Sequence, residues 1–329
     1  MSINVKNISK SFVSFKREAG LKGALQSFIN RKYEIFHALQ DINLDIDSGE
    51  IVGILGENGA GKTTLIKLLV GLLYPSAGSI HIDGYTPWKR KNDFLKQISV
   101  VMGQKNQLWW DIPASESFLL NQKIYEIPQA EYKKTLDELV HLLNVKDKLN
   151  VQVRRLSLGE RMKMEIIAAL LHKPRFILLD EPTIGLDVIS QSKIREFIKF
   201  YNEKYNSTFL LTSHYMNDIQ ALCDRVFVIH KGCGLYDGNF SALVNRIKPQ
   251  KKLIFEFSKS PGDDVIVNLQ HNFDFKLVRN VITAELPDNQ LTKLLGDLFK
   301  LNDPVTFSVE ELPVEDTMKT FFSNPQKFL

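Results

Sequence analysis

The chain has little cysteine, no long apolar run and no strong net charge. Two cysteines in 329 residues, Cys223 and Cys233, are too few for a disulfide framework or a zinc site, and they read as incidental reduced thiols. The longest unbroken apolar run is six residues, Ile166–Leu171; a membrane span needs about 20, so no crossing segment is expected. The opening MSINVKNISKSF lacks the apolar centre of a secretory signal. Lys and Arg total 42 and Asp and Glu 38, a formal charge of +4, too small an excess to make nucleic acid the default partner. With 44% hydrophobic and 24% charged residues, disordered and low-complexity classes are excluded. The length allows more than one domain.

The small excess of charge is unevenly placed. Residues 1–40 hold seven basic and two acidic residues, so this segment carries +5 and the rest of the chain sums to −1. Within it, Ile3–Val5 reads as a short edge strand and Phe12–Phe36 as an irregular basic stretch. Leu21, Leu25, Phe28 and Ile29 inside that stretch fall on one face of a helix. Ile42, Leu44 and Ile46 alternate with polar residues, as in a half-buried strand. Ile51–Leu55 is a continuous apolar run ending at a glycine, as in a buried parallel strand. A helix over Leu65–Leu73 stops before Pro75. Residues 113–172 are mostly helical in period, and 176–179, 209–212 and 226–229 are further apolar strands. Strands separated by helices imply a parallel sheet. From about Leu253 the texture changes to alternating strands (Leu253–Phe257, Leu277–Leu286), a helix near Asn289–Leu301, a strand near Val305–Val309 and a terminal helix from Val314. This predicts a small α+β unit after the main domain.

The segment Gly56-Glu57-Asn58-Gly59-Ala60-Gly61-Lys62-Thr63 fits G-x-x-x-x-G-K-[ST], with a strand before it and a helix after it. Glycines let backbone N–H groups turn inward around an anion, and the following helix points its positive end at the phosphates. In such a loop Lys62 reaches the β- and γ-phosphates and Thr63 reaches Mg²⁺; Thr64 follows in the same first helical turn. Downstream, Phe176–Leu179 ends in Asp180 and Glu181. Asp180 suits a Mg²⁺-supporting carboxylate, and Glu181 is placed to polarise an attacking water.

Further motifs appear in a fixed order. Leu156-Ser157-Leu158-Gly159-Glu160 opens a helix about twenty residues before Asp180. Gln104 follows an apolar strand, Gly185-Leu186-Asp187 follows Glu181, and His214 follows a strand ending Leu211-Thr212-Ser213. With the P-loop, this set resembles the ATP-binding cassette (ABC) ATPases over roughly residues 1–238. The resemblance implies an α/β fold: a P-loop NTPase cassette with a RecA-like mixed sheet core, an antiparallel β edge and a helical subdomain over about 104–172. A C-terminal accessory α+β domain would occupy 239–329. It also implies roles. Gly56, Glu57, Asn58, Gly59, Ala60, Gly61, Lys62, Thr63 and Thr64 cradle ATP, and Thr63, Gln104 and Asp180 serve Mg²⁺. Glu181 is the general base, His214 contacts the γ-phosphate, and Gln104 links the site to the transport subunit. Ser157 and Gly159 act on ATP bound to a second ABC subunit, with Asp187 signalling between the two sites. Phe12 is the adenine-stacking aromatic favoured by position, with Phe15 and Tyr33 as alternatives. Two departures from the family pattern are Leu158, where a glycine is usual, and Glu160, where a glutamine is.

Lys62 and Ser157 lie 95 positions apart, which leaves no room for the coiled coils of chromosome-type cassettes, and translation-factor cassettes carry two copies per chain. A single cassette without spans of its own resembles the ATPase subunit of a transporter with a separate integral-membrane permease. It would work as a dimer, with a second copy of the chain, at the cytoplasmic face of the cell membrane. The run Gln107-Leu108-Trp109-Trp110-Asp111-Ile112-Pro113, the basic insertion and LSLGERMKMEIIAALLHKP look like the exporter branch. An importer ATPase and a soluble regulatory cassette are the alternatives. The tryptophans fit either a docking surface or the subdomain core. The basic insertion fits contact with anionic headgroups or the permease, or a solvated helix over the cassette.

Overall fold

Strands buried on both faces need unbroken apolar runs, and such runs build the centre of the larger sheet. The structure, a computed structural model, describes residues 2–15, 33–102, 107–213, 215–247, 251–258, 262–301, 304–311 and 313–328. Gln104, His214 and the Leu21–Ile29 stripe lie outside the described residues. Among those described, the chain begins with β1 (Ile3–Phe15), β2 (Tyr33–Ile46), β3 (Ile51–Leu55), helix α1 (Lys62–Leu69), β4 (Ala77–Ile82), the short α2 (Asn92–Leu95) and β5 (Ile98–Met102). Three helices come next, α3 (Ala114–Ile124), α4 (Gln129–Leu143) and α5 (Leu158–Leu170). Then come β6 (Phe176–Asp180), α6 (Val188–Tyr205), β7 (Thr208–Thr212), α7 (Met216–Leu222), β8 (Arg225–His230) and β9 (Cys233–Asn239). At α8 (Phe240–Arg246) the chain passes from one compact unit, Met1–Phe240, to a second, Ser241–Leu329.

The first unit holds a nine-stranded sheet in the order β4-β1-β2-β9-β8-β3-β7-β6-β5. Its centre is parallel: β3 pairs with β7 and β8, and β6 with β5 and β7. β1 pairs antiparallel with β2 and β4, and β9 antiparallel with β8. The expected mixed sheet with an antiparallel edge is therefore what forms. Phe176, Ile177 and Leu178 of β6 are fully buried, as their unbroken apolar run requires. The register sets where the strands end. Ile54 lies opposite Thr212, Thr212 opposite Asp180, and Asp180 opposite Met102. Four neighbouring strands thus end within one residue of a common line, and the loops leaving them emerge side by side.

Several sequence expectations need correction. Ile3–Val5 is not at an edge: β1 is an interior strand and β4 is the edge. Phe12–Phe36 is not irregular at its ends, because Phe12–Phe15 and Tyr33–Phe36 extend β1 and β2 as paired strand. The alternation rule failed there for a physical reason. Val13, Tyr33, Ile35 and Phe36 are all exposed, so neither face is buried and no period-two pattern arises; cross-strand pairs such as Phe12 with Phe36 and Val13 with Ile35 carry the pairing instead. Helix α1 ends earlier than Leu73 because Gly71 takes φ 71° and Leu72 N–H returns to the Lys67 carbonyl at 2.8 Å, the glycine-terminated helix end. The two cysteines form no disulfide, and burial pushes the Cys223 thiol pKa up.

The second unit contains β10 (Lys251–Phe257), α9 (Asp263–Asn272), β11 (Lys276–Val278), β12 (Val281–Leu286), α10 (Asp288–Leu301), β13 (Pro304–Glu311) and α11 (Val314–Ser323). Its antiparallel sheet runs β11-β12-β10-β13, the split βαβ arrangement. Leu253, Phe255, Phe257, Ile282, Leu294 and Leu298 are core residues of this unit. The run Leu277–Leu286, expected as one strand, is a hairpin. Arg279 adopts φ 57°, and the Asn280 amide donates to the Phe257 carbonyl at 2.8 Å, so a two-residue turn replaces the strand centre. Helix α9 was not expected at all.

His172, just after α5, stacks on Tyr125 at 3.8 Å between ring centroids, and its Nε2 lies 3.1 Å from the Ile98 carbonyl. Burial lowers its pKa to about 4. A histidine that is neutral when folded and protonates when unfolded makes stability fall as pH drops from about 6.5 towards 4. The loss reaches roughly 3 kcal/mol at about 1.4 kcal/mol per pKa unit. Urea midpoints measured between pH 7 and 4 should show this slope in the wild type and a flatter one in His172→Phe.

Candidate functional site

The line of strand ends assembles the site. From β3 the chain enters the glycine-rich loop. Gly61 is the N-cap of α1 with φ 113°, and a Cβ there would sit 2.7 Å from the Ala38 carbonyl oxygen, so only glycine allows the loop to turn into the helix at this point. Gly59 has φ 81° with nothing within 4 Å of its Cβ position, leaving the backbone accessible to a ligand. Glu57, Asn58 and Gly59 are exposed, Gly56 and Thr64 are half-buried, and Ala60 is buried. Thr63, in the first turn of α1, is exposed. Gly232 N–H donates to the Ala60 carbonyl at 3.0 Å, which ties the β8–β9 turn to the loop.

Lys62 is buried, and its Nζ donates to the Gly56 carbonyl at 2.6 Å and the Glu57 carbonyl at 3.1 Å. Burial lowers its pKa, while the charges of Glu181, Asp180 and Glu57 oppose that shift. This cation therefore lies in the field of the two carboxylates that end β6. Asp180 accepts the Thr212 hydroxyl at 2.6 Å, and Glu181 N–H donates to the Thr212 carbonyl at 3.0 Å. Glu181 takes φ 56°, a left-handed conformation uncommon outside glycine. The aromatic expected to stack on a base, Phe12, lies inside β1 rather than in a loop after it. It is exposed on one side, with Lys10 Nζ 5.2 Å from its ring centroid. Tyr33 is exposed at the start of β2.

A second group forms at the start of α5. Ser157 caps the helix, accepting Glu160 N–H at 3.2 Å, while the Glu160 carboxylate accepts Ser157 N–H at 2.9 Å. Glu160 thus completes a capping box, and the Ser157 N–H holds its carboxyl pKa below the usual range, with Lys148 helping. The helix start packs closely on α6 at Gly159, where a Cβ would lie 2.8 Å from Ser190 Oγ. The Asp187 carboxylate caps α6, accepting Ser190 N–H at 3.0 Å and Ser190 Oγ at 2.6 Å, which holds its pKa low. Leu158 reaches towards Gly185. The structure therefore brings Ser157, Leu158 and Gly159 against Gly185, Asp187 and Ser190.

The tryptophans do not fill the subdomain core. Trp109 is 61% exposed and Trp110 45%. The segment that carries them is pinned to α5. Glu165 is buried and accepts Gln107 N–H at 3.1 Å and Leu108 N–H at 3.3 Å. Arg161, one turn earlier, stands 5.2 Å from the Trp110 ring. Nearby, a cavity of about 640 Å³ is lined by Leu72, Arg90, Met102, Gln107 and Tyr125 among others.

Sequence reasoning missed Thr212, Thr183, Asp218 and Glu165. Polar residues at the end of an apolar strand (Thr212) and at i, i+4 spacing on a mostly buried helix (Arg161, Glu165) were the available signals. The partners that give Thr183 and Asp218 meaning are distant in sequence.

Residues 39–184 match the family described as ABC transporter. The chain is 39% identical over 212 residues to the ABC transporter ATP-binding protein NatA of Bacillus subtilis, covering 64% of this chain and 86% of NatA. It is 32% identical to the bacitracin transport ATP-binding protein BcrA of Bacillus licheniformis, over 75% and 78% of the two chains. It is 30% identical to the methionine import ATP-binding protein MetN 2 of Enterococcus faecalis, over 84% and 79%. Among solved structures, a dimeric ATP-binding cassette in a post-hydrolysis state bound to ADP and Pi superposes with a TM-score of 0.59 at 26% identity, covering 72% of this chain and 98% of that one.

Removing the Glu165 carboxylate leaves the Gln107 and Leu108 N–H groups without an acceptor, at a cost of about 1–3 kcal/mol. Glu165→Ala should lower the urea midpoint accordingly and shift the emission of Trp109 and Trp110. An unchanged emission spectrum would show that Glu165 does not hold this segment.

Proposed function

The chain belongs to the ABC transporter ATPases, and from that membership we propose that it powers export through a separate integral-membrane permease. It hydrolyses ATP with Mg²⁺ as one of two identical cassettes at the cytoplasmic face of the cell membrane. The observation that carries this reading is the common line of strand ends, which gathers the glycine loop, Lys62, Asp180 and Glu181. Residues 1–238 would form the nucleotide-binding domain and 239–329 an accessory domain that supports or regulates the pair.

In this reading the N–H groups from Gly56 to Thr64 and the Lys62 ammonium bind the phosphates. Lys62 exchanges its two carbonyl partners for phosphate oxygens, so its charge is already in place and little reorganisation is needed. Phe12 stacks on the adenine. Thr63, Asp180 and Gln104 would hold Mg²⁺, whose charge would offset that of the phosphates. The Thr63 hydroxyl at the exposed start of α1 and the half-buried Asp180 carboxylate are oxygen donors of the kind Mg²⁺ takes. Glu181 takes the proton of the attacking water, and His214 contacts the γ-phosphate. Ser157 and Gly159, at the N-terminus of α5, face the γ-phosphate held by the second copy, a placement in which helix N–H groups favour an anion. Asp187 passes the state of one site to the other.

The exposed Trp109 and Trp110 are the surface that the permease engages, since large aromatics anchor interfaces. Their presence together with the basic insertion, as in the exporter branch, supports outward transport. Import is a second reading with one observation behind it: the methionine import relative matches 84% of the chain, a span longer than the first unit.

Glu181→Gln should bind ATP with wild-type affinity and lose about 10²–10⁴ in turnover, as expected for a missing general base; steady-state phosphate release checks this, and near-normal release would remove Glu181 from the role. Changing Trp109 and Trp110 to Ala together should release the protein from the membrane fraction without altering ATP binding. Retention on the membrane would place the permease contact elsewhere.

A further inference from the structure

Helix α7 contributes a buried carboxylate that the roles above do not use. Asp218 is fully buried. Its Oδ2 accepts the hydroxyls of Thr183 and of Ser213, the latter at 2.8 Å. Its Oδ1 accepts Arg195 Nη1 at 2.8 Å. A buried charge persists only when it is paired and hydrogen-bonded, and here the donors come from three places. Thr183 lies two residues beyond Glu181 in the turn leaving β6. Ser213 directly follows β7, and its Oγ also accepts Tyr215 N–H at 3.0 Å. Arg195 stands on α6, the helix capped by Asp187.

The turn bearing Glu181 depends on this carboxylate. Inside the turn, Ile184 N–H reaches the Glu181 carbonyl at 3.3 Å and Leu186 N–H reaches the Thr183 carbonyl at 3.2 Å. Gln191 on α6 adds a bond to the Leu186 carbonyl at 3.2 Å. Gln191 also donates to the Thr183 carbonyl at 3.5 Å, so the turn is joined to the start of α6, and Asp218 adds a link from Thr183 to β7 and the middle of α6. Across to β7 and α7 the turn is linked by Glu181 N–H on the Thr212 carbonyl and by the Thr183 hydroxyl on Asp218. The left-handed φ of Glu181 costs energy that surrounding contacts must offset. Thr183 is itself fully buried, so its hydroxyl has no water to turn to.

We propose that Asp218 is a positioning residue for ATP hydrolysis, a buried carboxylate that fixes the turn carrying Glu181 to β7 and α6. The proposal rests on Glu181 being the general base. Misplacing a reacting group by about 1 Å costs about 10²-fold in rate. Loosening this clamp should therefore act on turnover and leave nucleotide binding, which belongs to the Lys62 loop, unaffected.

A double-mutant cycle on the full-length protein tests it. Asp218→Asn keeps the shape and removes the charge, and Thr183→Val keeps the shape and removes one donor. Each should lower kcat about 10- to 100-fold with the ATP KM within about twofold of wild type and full ATP-binding stoichiometry, a split that general loss of structure does not produce. Combined with Glu181→Gln, either should add nothing further, because residues acting through one group are non-additive. Should Asp218→Asn fail to fold, Thr183→Val carries the test. Wild-type kcat in Thr183→Val, or losses that multiply with Glu181→Gln, would overturn the proposal. An inactive Glu181→Gln beside a fully active Asp218→Asn would sink the proposal alone, whereas a fully active Glu181→Gln would remove the base assignment beneath it.

Discussion

The structure depends on four strands ending within one residue of a common line. Ile54, Thr212, Asp180 and Met102 sit opposite one another across β3, β7, β6 and β5, so each loop that leaves them begins beside the others. In parallel sheets the carboxyl ends are where ligands bind, because helix N-termini and loop backbone converge there. A one-residue slip in any of these strands would turn its side chains to the opposite face and separate Lys62 from Asp180 and Glu181. The Thr212 hydroxyl on Asp180 and the Thr212 carbonyl on Glu181 N–H hold the register where the chemistry needs it.

Helix α5 performs two tasks with one rigid body. Its N-terminus carries the Ser157–Glu160 capping box and packs through Gly159 on Ser190. One and two turns later Arg161 and Glu165 hold the segment with the exposed tryptophans. In the proposed transporter, the end of the helix that faces nucleotide and the surface that faces the permease are therefore joined by helical backbone. The departures from the family pattern fit this arrangement. Glu160 supplies the second half of the capping box, and Leu158 reaches towards the Gly185 turn.

Much of this was legible in the sequence, and what was not has physical causes. The P-loop, the buried runs of β3, β6 and β7 and the ordered motifs follow from local composition, whereas the mixed sheet with its antiparallel edge came from the family resemblance those motifs carry. The outer parts of β1 and β2 were missed because burial alternation is absent when both faces meet solvent. The Leu277–Leu286 hairpin was missed because a turn at Arg279-Asn280 needs no glycine when Asn280 hydrogen-bonds back to Phe257. Asp218 and Glu165 looked like ordinary polar residues of helices. Thr183 lies 35 positions from Asp218 and Gln107 58 from Glu165 along the chain, relations that no local pattern encodes.

In the proposed function the Lys62 ammonium, held by two carbonyls in the field of Asp180 and Glu181, is the charge that captures ATP. Equilibrium titration of MgATP against the wild type and Lys62→Ala tests it most directly. Losing two charge-assisted hydrogen bonds of about 1.5–3 kcal/mol each should weaken binding by about 100-fold or more, with the urea midpoint showing the variant folded. Equal affinity in a folded Lys62→Ala protein would contradict the account.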